Sequence, residues 1–131
     1  MIVVEPMQVH PAAVLTRGNF RPGDDNVIPH FRKVATAIKQ NGAIAIRQLY
    51  HGGAHGNSGN SHHPHWSPSG SPCYHDSEGS HSMSEAEIWD TIDCFVQAAR
   101  RCRRANMLSQ RPPIHFAQNQ SRLRREKPVG G

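Results

Sequence analysis

The chain has 131 residues, of which 36% are apolar, so it can build one modest hydrophobic core and not two. No apolar run is long enough to span a membrane, and the first residues lack the basic and apolar regions of a signal peptide. The three cysteines show no Cys-x-x-Cys spacing, which argues against a disulfide framework and against a cysteine-based zinc site. We therefore predict a cytoplasmic protein without a membrane segment.

The net charge of +5 is concentrated at one end of the chain. Residues 1–99 contain six Lys and Arg against nine Asp and Glu, whereas residues 100–131 contain nine against one. A basic terminal segment of this kind is typical of nucleic-acid-binding tails. The larger, acidic part of the chain has no such character.

The first half of the chain predicts a strand, a helix and a second strand. The β-branched residues 2–4 are typical of a buried strand. Asp24 or Asp25 can cap a helix whose apolar residues recur every three or four positions, and Asn41-Gly42 can end it. Residues 43–49 are apolar at nearly every early position, as in a parallel strand covered on both faces. Together these elements predict a right-handed βαβ unit.

The second half predicts a long loop and one more helix. Residues 50–83 are rich in Gly, Ser, His and Pro, and they leave the carboxyl end of the second strand, where α/β proteins place their chemistry. Ser84 and Glu87 form a capping box at the start of a helix whose apolar face continues to Cys102. No strand pattern follows Asn106, so we predict a disordered tail.

Three stretches of the chain, taken in order, resemble one enzyme family. Residues 2–15 read IVVEPMQVHPAAVL, residues 43–55 read AIAIRQLYHGGAH, and residues 83–105 read MSEAEIWDTIDCFVQAARRCRRA. They are similar to the second strand, the third strand and the following helix of the NADH:flavin oxidoreductase, or Old Yellow Enzyme, family. Within it, residues 52–55 resemble trimethylamine dehydrogenase-like members, and residues 66–76 resemble N-methylproline demethylase-like members.

The resemblance implies an α/β fold, namely a fragment of a TIM (β/α)8 barrel with two parallel strands, two helices and the long loop 50–83. It also implies FMN as cofactor. Gln48 matches the family position that hydrogen-bonds the pyrimidine edge of FMN, since an amide can both donate and accept there. Pro6 matches a position beside the flavin, and His51 matches the histidine at the strand end.

The reaction class follows from the same resemblance. FMN would carry hydride or electron transfer, with a small amine or an enone as substrate and with NAD(P)H or an electron acceptor as partner. Oxidative N-demethylation of a small amine is the expected reaction, and alkene reduction is the alternative.

The resemblance covers residues 1–106, so we predict a partial FMN-binding barrel domain there. Residues 107–131 are predicted to be a basic tail outside the family fold. The family's first strand, its Ala-Gly-Phe-Asp-Gly-Val-Glu strand and its substrate-binding segment are not recognisable. We therefore expect an incomplete fragment and assign no catalytic residue.

Metal binding has weaker support in the sequence. The loop contains a histidine tract made of His62, His63, His65, His75 and His81. Such tracts can bind metal, but this spacing fits no defined site, so we predict no metal. Cys94 and Cys102 lie on or beside the apolar side of the second helix, where cysteine usually acts as a small hydrophobe.

The rival function is that of an inactive remnant, or of a small binding module whose basic tail contacts nucleic acid non-specifically. The tail cations that could neutralise phosphates are Arg111, Arg122, Arg124, Arg125 and Lys127. Beyond Phe116 no aromatic residue is interleaved with them, so we do not expect a nucleic-acid partner.

Overall fold

The computed structural model describes residues 1–13, 24–55, 63–72 and 79–110, and for Ser109 and Gln110 it describes the backbone alone. The strands and α-helices, in chain order, are β1 (Ile2–Gln8), α1 (Val27–Gln40), β2 (Ala45–Tyr50), β3 (Trp66–Ser67), β4 (His81–Ser82), α2 (Glu85–Arg104) and β5 (Leu108–Gln110). Short 3-10 turns at Pro11–Ala13 and Gly53–His55 follow β1 and β2.

β1, β2 and β5 form a three-stranded parallel sheet with β2 in the centre. Gln8 at the end of β1 lies opposite Tyr50 at the end of β2. On the other side of β2, Ile46 lies opposite Leu108 of β5. The strand, helix and strand of the predicted βαβ unit are confirmed. Because all three strands are parallel, their carboxyl ends meet at one edge of the sheet.

Both helices pack on one face of this sheet. In β2, Ala45, Arg47 and Leu49 are buried, whereas the alternate residues are half-buried, as expected when successive side chains point to opposite faces. The buried cluster joins these strands to α1 through Phe31 and to α2 through Cys102. Burial of a side chain such as Leu49 stabilises the fold by about 1.5–3 kcal/mol.

Arg47 is a charged side chain within this core. It is 2% exposed, and its guanidinium carbon lies 4.6 Å from the ring centroid of Phe31. A guanidinium over an aromatic face gains a cation–π interaction, which is stronger where water is excluded. Burial lowers the pKa of Arg47. The helix-facing side of β2 is therefore buried from solvent even at Arg47.

α2 begins as its sequence predicts. The Ser84 hydroxyl accepts a hydrogen bond from the Glu87 N–H (3.3 Å), and the Glu87 carboxylate accepts one from the Ser84 N–H (2.7 Å), so the capping box is confirmed. The hydrogen bond from the Ser84 N–H is the main cause of a lowered pKa at Glu87.

Neither α1 nor α2, the helices of the described residues, is long and apolar enough to cross a membrane.

The start of α1 differs from the prediction. Its N-cap is Asn26 and not Asp24 or Asp25, and the Asn26 side chain makes no cap hydrogen bond. Asp25 instead pairs with Arg104 and Arg101 of α2, and these two guanidinium groups hold its pKa below the ordinary value. The long-range pairing with α2 has replaced the local cap. The predicted end at Gly42, which has a φ of +73°, is confirmed.

The third sheet strand, β5, corrects the expectation that no strand follows Asn106. α2 ends in a Schellman motif, in which the N–H groups of Met107 and Asn106 donate to the carbonyls of Cys102 (2.9 Å) and Arg103 (3.0 Å). Asn106 has the left-handed φ of +62° that this turn needs. The turn directs the chain onto the open side of β2, where backbone pairing forms a strand that Leu-Ser-Gln alone does not predict.

The long loop contains structure that its sequence did not predict. β3 and β4 form a parallel pair, joined by a hydrogen bond from the His81 N–H to the His65 carbonyl (2.6 Å). The hydroxyls of Ser67 and Ser80 lie 2.6 Å apart. This pair holds Trp66 and His81 side by side next to the start of α2. The predicted disordered tail, apart from its first residues, lies outside the described residues.

Candidate functional site

Polar and aromatic side chains gather at the carboxyl edge of the sheet. Gln8 and Tyr50 end β1 and β2 opposite each other, so the segments that follow them run close together. His10 and His51 lie in these segments with ring centroids 6.1 Å apart. Trp66 of β3 packs on His10 with centroids 4.5 Å apart. We call His10, His51, His65 and Trp66 the edge cluster.

Two histidines of the edge cluster are oriented by the same local bond. The Nδ1 atoms of His10 and His51 each accept a hydrogen bond, at 3.1 Å, from the N–H group two residues later in the chain. A ring nitrogen that accepts from an N–H carries no proton, so each neutral ring is protonated on Nε2. Both short turns after the strands therefore fix a tautomer as well as a position.

Burial keeps these rings uncharged at neutral pH. It lowers the pKa of His51 to about 4, and the neighbouring His10 and His65 lower it further in smaller measure. Burial also lowers the pKa of His10, and this effect outweighs the attraction of Asp90. His10 and His51 therefore present neutral imidazoles.

Two buried polar groups of this region lack hydrogen-bond partners in the described part of the chain. One is the His65 ring, which is 1% exposed and lacks a partner at each of its two nitrogens. The other is the Oε1 atom of Gln8, which is 3% exposed. A buried polar group without a partner costs about 1–3 kcal/mol. Such a group needs a partner, which can be a water molecule, an ion or a ligand.

The predicted site residues all lie toward this edge. Gln48 is half-buried on the sheet face opposite the helices. A bulge in β1 places Glu5 and Pro6 together opposite Gln48, because Val4 pairs with Arg47 and the next pairing is Met7 with Leu49. Proline has no N–H to give to a ladder, so a bulge is where a strand accepts it.

His51, the third predicted residue, follows β2 directly and is 9% exposed. Gln8, His10 and Trp66 also lie at this edge but were not predicted from the sequence. The predicted first strand stopped at residue 4, which left Gln8 and His10 in an undefined loop. β1 in fact runs to Gln8, so the pairing with β2 brings these residues beside His51.

The model of the family described as NADH:flavin oxidoreductase / NADH oxidase matches residues 1–107. The chain belongs to this family. The curated metal reductase of Desulforamulus reducens is 32% identical over 82 residues, which is 63% of this chain and 12% of that protein. The family assignment confirms the resemblance drawn from the three sequence stretches.

Solved structures agree with the family assignment. Histamine dehydrogenase from Rhizobium sp. 4-9 is 26% identical, with a TM-score of 0.70 over 81% of this chain and 17% of its own. The Old Yellow Enzyme homologue from Zymomonas mobilis and morphinone reductase are each 18% identical, with TM-scores of 0.70. Each match covers 80% of this chain, which corresponds to 32% of the Zymomonas mobilis protein and 33% of morphinone reductase. The chain thus has the fold of a barrel segment and spans at most about a third of these proteins.

Proposed function

We propose that this family member holds the flavin of an FMN-dependent oxidoreductase at the carboxyl edge of its sheet. The observation that carries the proposal is the place of Gln48, half-buried on the face away from the helices and opposite the Pro6 bulge. Members of the family are FMN-binding flavoenzymes. In parallel α/β sheets, ligands bind beyond the carboxyl ends of the strands.

The residues at this edge fit one side of a flavin. The Gln48 amide can donate to a ring carbonyl and accept from a ring N–H, which matches the alternating groups of a pyrimidine edge. The buried Oε1 of Gln8 offers a further acceptor at the same end of the sheet. Pro6 presents an apolar ring that excludes water, and His51 supplies a neutral, fixed imidazole.

When bound, FMN supplies hydride or electron transfer, and the chain supplies position and electrostatics. Uncharged imidazoles suit this role, because they do not oppose a change of charge on a cofactor as a fixed cation or anion would. We assign no general acid or base to the described residues. Residues 1–106 would form a partial barrel domain to which β5 adds its three residues, and the residues after β5 would be a tail outside the family fold. A complete site needs further strands, since a closed barrel has eight.

A small amine is the proposed substrate, and oxidative N-demethylation the proposed reaction. Two observations support it: residues 52–55 resemble the amine dehydrogenase branch, and one structural relative at 26% identity is a histamine dehydrogenase. Reduction of an activated alkene such as an enone is the alternative. NAD(P)H or another electron carrier would be the second substrate in either case.

A flavin titration of the purified chain tests the proposal. We expect quenched FMN fluorescence on binding and at least tenfold weaker binding by Gln48→Ala, which corresponds to about 1.4 kcal/mol. Gln40→Ala is the matched control, because Gln40 is an exposed amide on α1. Absence of binding by a folded chain would contradict the proposal that this chain holds FMN, and equal binding by the two variants would contradict the assignment of Gln48.

A further inference from the structure

Three side chains of different metal-binding types meet beside the edge cluster. His10 Nε2, an Asp90 carboxylate oxygen and Cys94 Sγ all lie within 4.8 Å of one another. Asp90 and Cys94 are four residues apart in α2 and so project from the same helical face. His10 comes from the turn after β1, 80 residues earlier in the chain.

We propose that His10, Asp90 and Cys94 form a site for a divalent transition metal, with zinc as the favoured ion. This assignment does not depend on the proposed flavin function. We call the three residues the HDC site.

The donor set selects the metal. Imidazole nitrogen, thiolate sulfur and carboxylate oxygen are the ligands that zinc takes in proteins, whereas magnesium and calcium require oxygen ligands. One thiolate and one carboxylate together carry two negative charges, which balance a divalent ion. Three protein ligands leave the fourth tetrahedral position for water, and Asp90, whose side chain is 62% exposed, keeps that position open to solvent.

Two of the three side chains already contact each other in the absence of metal. The Nε2 of His10 lies 3.4 Å from the Asp90 carboxylate, a long contact.

Metal binding rearranges protons in a defined way. The Cys94 thiol loses its proton to solvent and becomes the thiolate ligand. His10 keeps one ring proton, which moves from Nε2 to Nδ1 so that the Nε2 lone pair faces the ion. The hydrogen bond from the Ala12 N–H to Nδ1 is then lost. The metal thus exchanges a local turn bond for a link between β1 and α2.

Cobalt(II) is the probe that distinguishes the HDC site from the many other histidines of the chain. A thiolate bound to cobalt gives a near-ultraviolet charge-transfer band, which imidazole ligands do not give. We expect the full-length reduced chain to develop this band at one equivalent of cobalt and to lose it on adding excess zinc. Cys94→Ser should abolish the band, and the control Cys73→Ser should keep it.

Asp90 provides a second test that does not disturb the core, because its side chain is exposed. Asp90→Asn should weaken cobalt binding at least tenfold, whereas Asp93→Asn, one turn away on the same helix, should change it less than threefold. Cobalt bound without a charge-transfer band would mean imidazole ligands elsewhere and would overturn the proposal. A band that survives Cys94→Ser, or equal affinities of Asp90→Asn and Asp93→Asn, would overturn it as well.

Discussion

The two faces of the sheet differ in how far their side chains are exposed to solvent. On the helix-covered face, Ala45, Arg47 and Leu49 are at most 3% exposed. On the opposite face, Val3 is 46% and Leu108 is 60% exposed, and both lie in one row with the half-buried Ile46. The three strands therefore bury one face in the hydrophobic core. Among the described residues, no layer covers the apolar side chains of the other face. In a closed barrel this second face points to the interior.

This contrast separates the residues that maintain the fold from those that are free to serve a site. Arg47 and Gln48 are neighbours in β2, yet Arg47 is held against Phe31 in the core while Gln48 faces the other way. The alternation of a strand is enough to divide the two tasks. Substitutions on the two faces should consequently have effects of very different size.

The largest effect is expected on the covered face. Phe31→Ala removes a side chain that is 2% exposed and leaves Arg47 without its aromatic partner. We expect a loss of about 3–5 kcal/mol in the free energy of unfolding, measured by urea denaturation. A loss below about 1 kcal/mol would show that the covered face is not the organised core described above.

Acid should lower the stability of the fold through His51 at the carboxyl edge of the sheet. His51 has a folded pKa of about 4 against an ordinary value of 6.5, so between these values the unfolded chain binds a proton that the folded chain does not. Stability should be unaffected by His51 above pH 6.5 and should fall by about 3 kcal/mol as the pH drops to 4. Urea denaturation of His51→Phe across this range should show a flatter pH dependence, and an unchanged slope would contradict the assigned burial of the ring.

A smaller effect is expected where α2 turns into β5. Asn106→Ala places an ordinary side chain at a φ of +62°, which should cost about 1–2 kcal/mol. Asn106→Gly, the control, should be neutral or stabilising in the same thermal unfolding assay. Equal losses for the two variants would mean that the side chain of Asn106 matters for a reason other than its backbone conformation.

The smallest effect is expected on the uncovered face. Leu108→Ser exchanges a side chain that is 60% exposed, so the unfolding free energy should change by less than about 0.5 kcal/mol. Matched with Phe31→Ala in the same urea series, it measures the difference between the faces directly. A loss comparable to that of Phe31→Ala would show that a further layer covers this face.

Local signals in the sequence predicted what local interactions determine. The Ser84 and Glu87 capping box and the left-handed Gly42 depend on residues a few positions apart, and both are present as predicted. The assignment of Asp24 or Asp25 as the cap of α1 was wrong: Asp25 bonds to Arg101, 76 residues away, and Asp24 accepts a hydrogen bond from the Asn26 N–H before the helix begins. β5 was missed for a related reason: its three residues become a strand through pairing with β2.

The candidate site likewise combines residues that the sequence predicted with residues that only the fold brings together. The positions of Pro6, Gln48 and His51 near one edge were predicted from the family resemblance, and their roles toward FMN stay predictions. His10 carried no signal as a candidate, because its neighbours Trp66 and Asp90 are distant in sequence. The spacing rules that excluded a metal in the histidine tract apply to ligands within one segment. They cannot recognise a cluster that folding assembles from β1 and α2.

The bulge at Pro6 has a consequence for how the molecule behaves in solution. In the described part of the chain β1 pairs with β2 on one side only, so within this part it is an edge strand. Edge strands of this kind nucleate aggregation unless something interrupts their regular ladder, and proline in a bulge is such an interruption. The kink that aligns Pro6 with Gln48 thus also makes β1 a poor template for self-association.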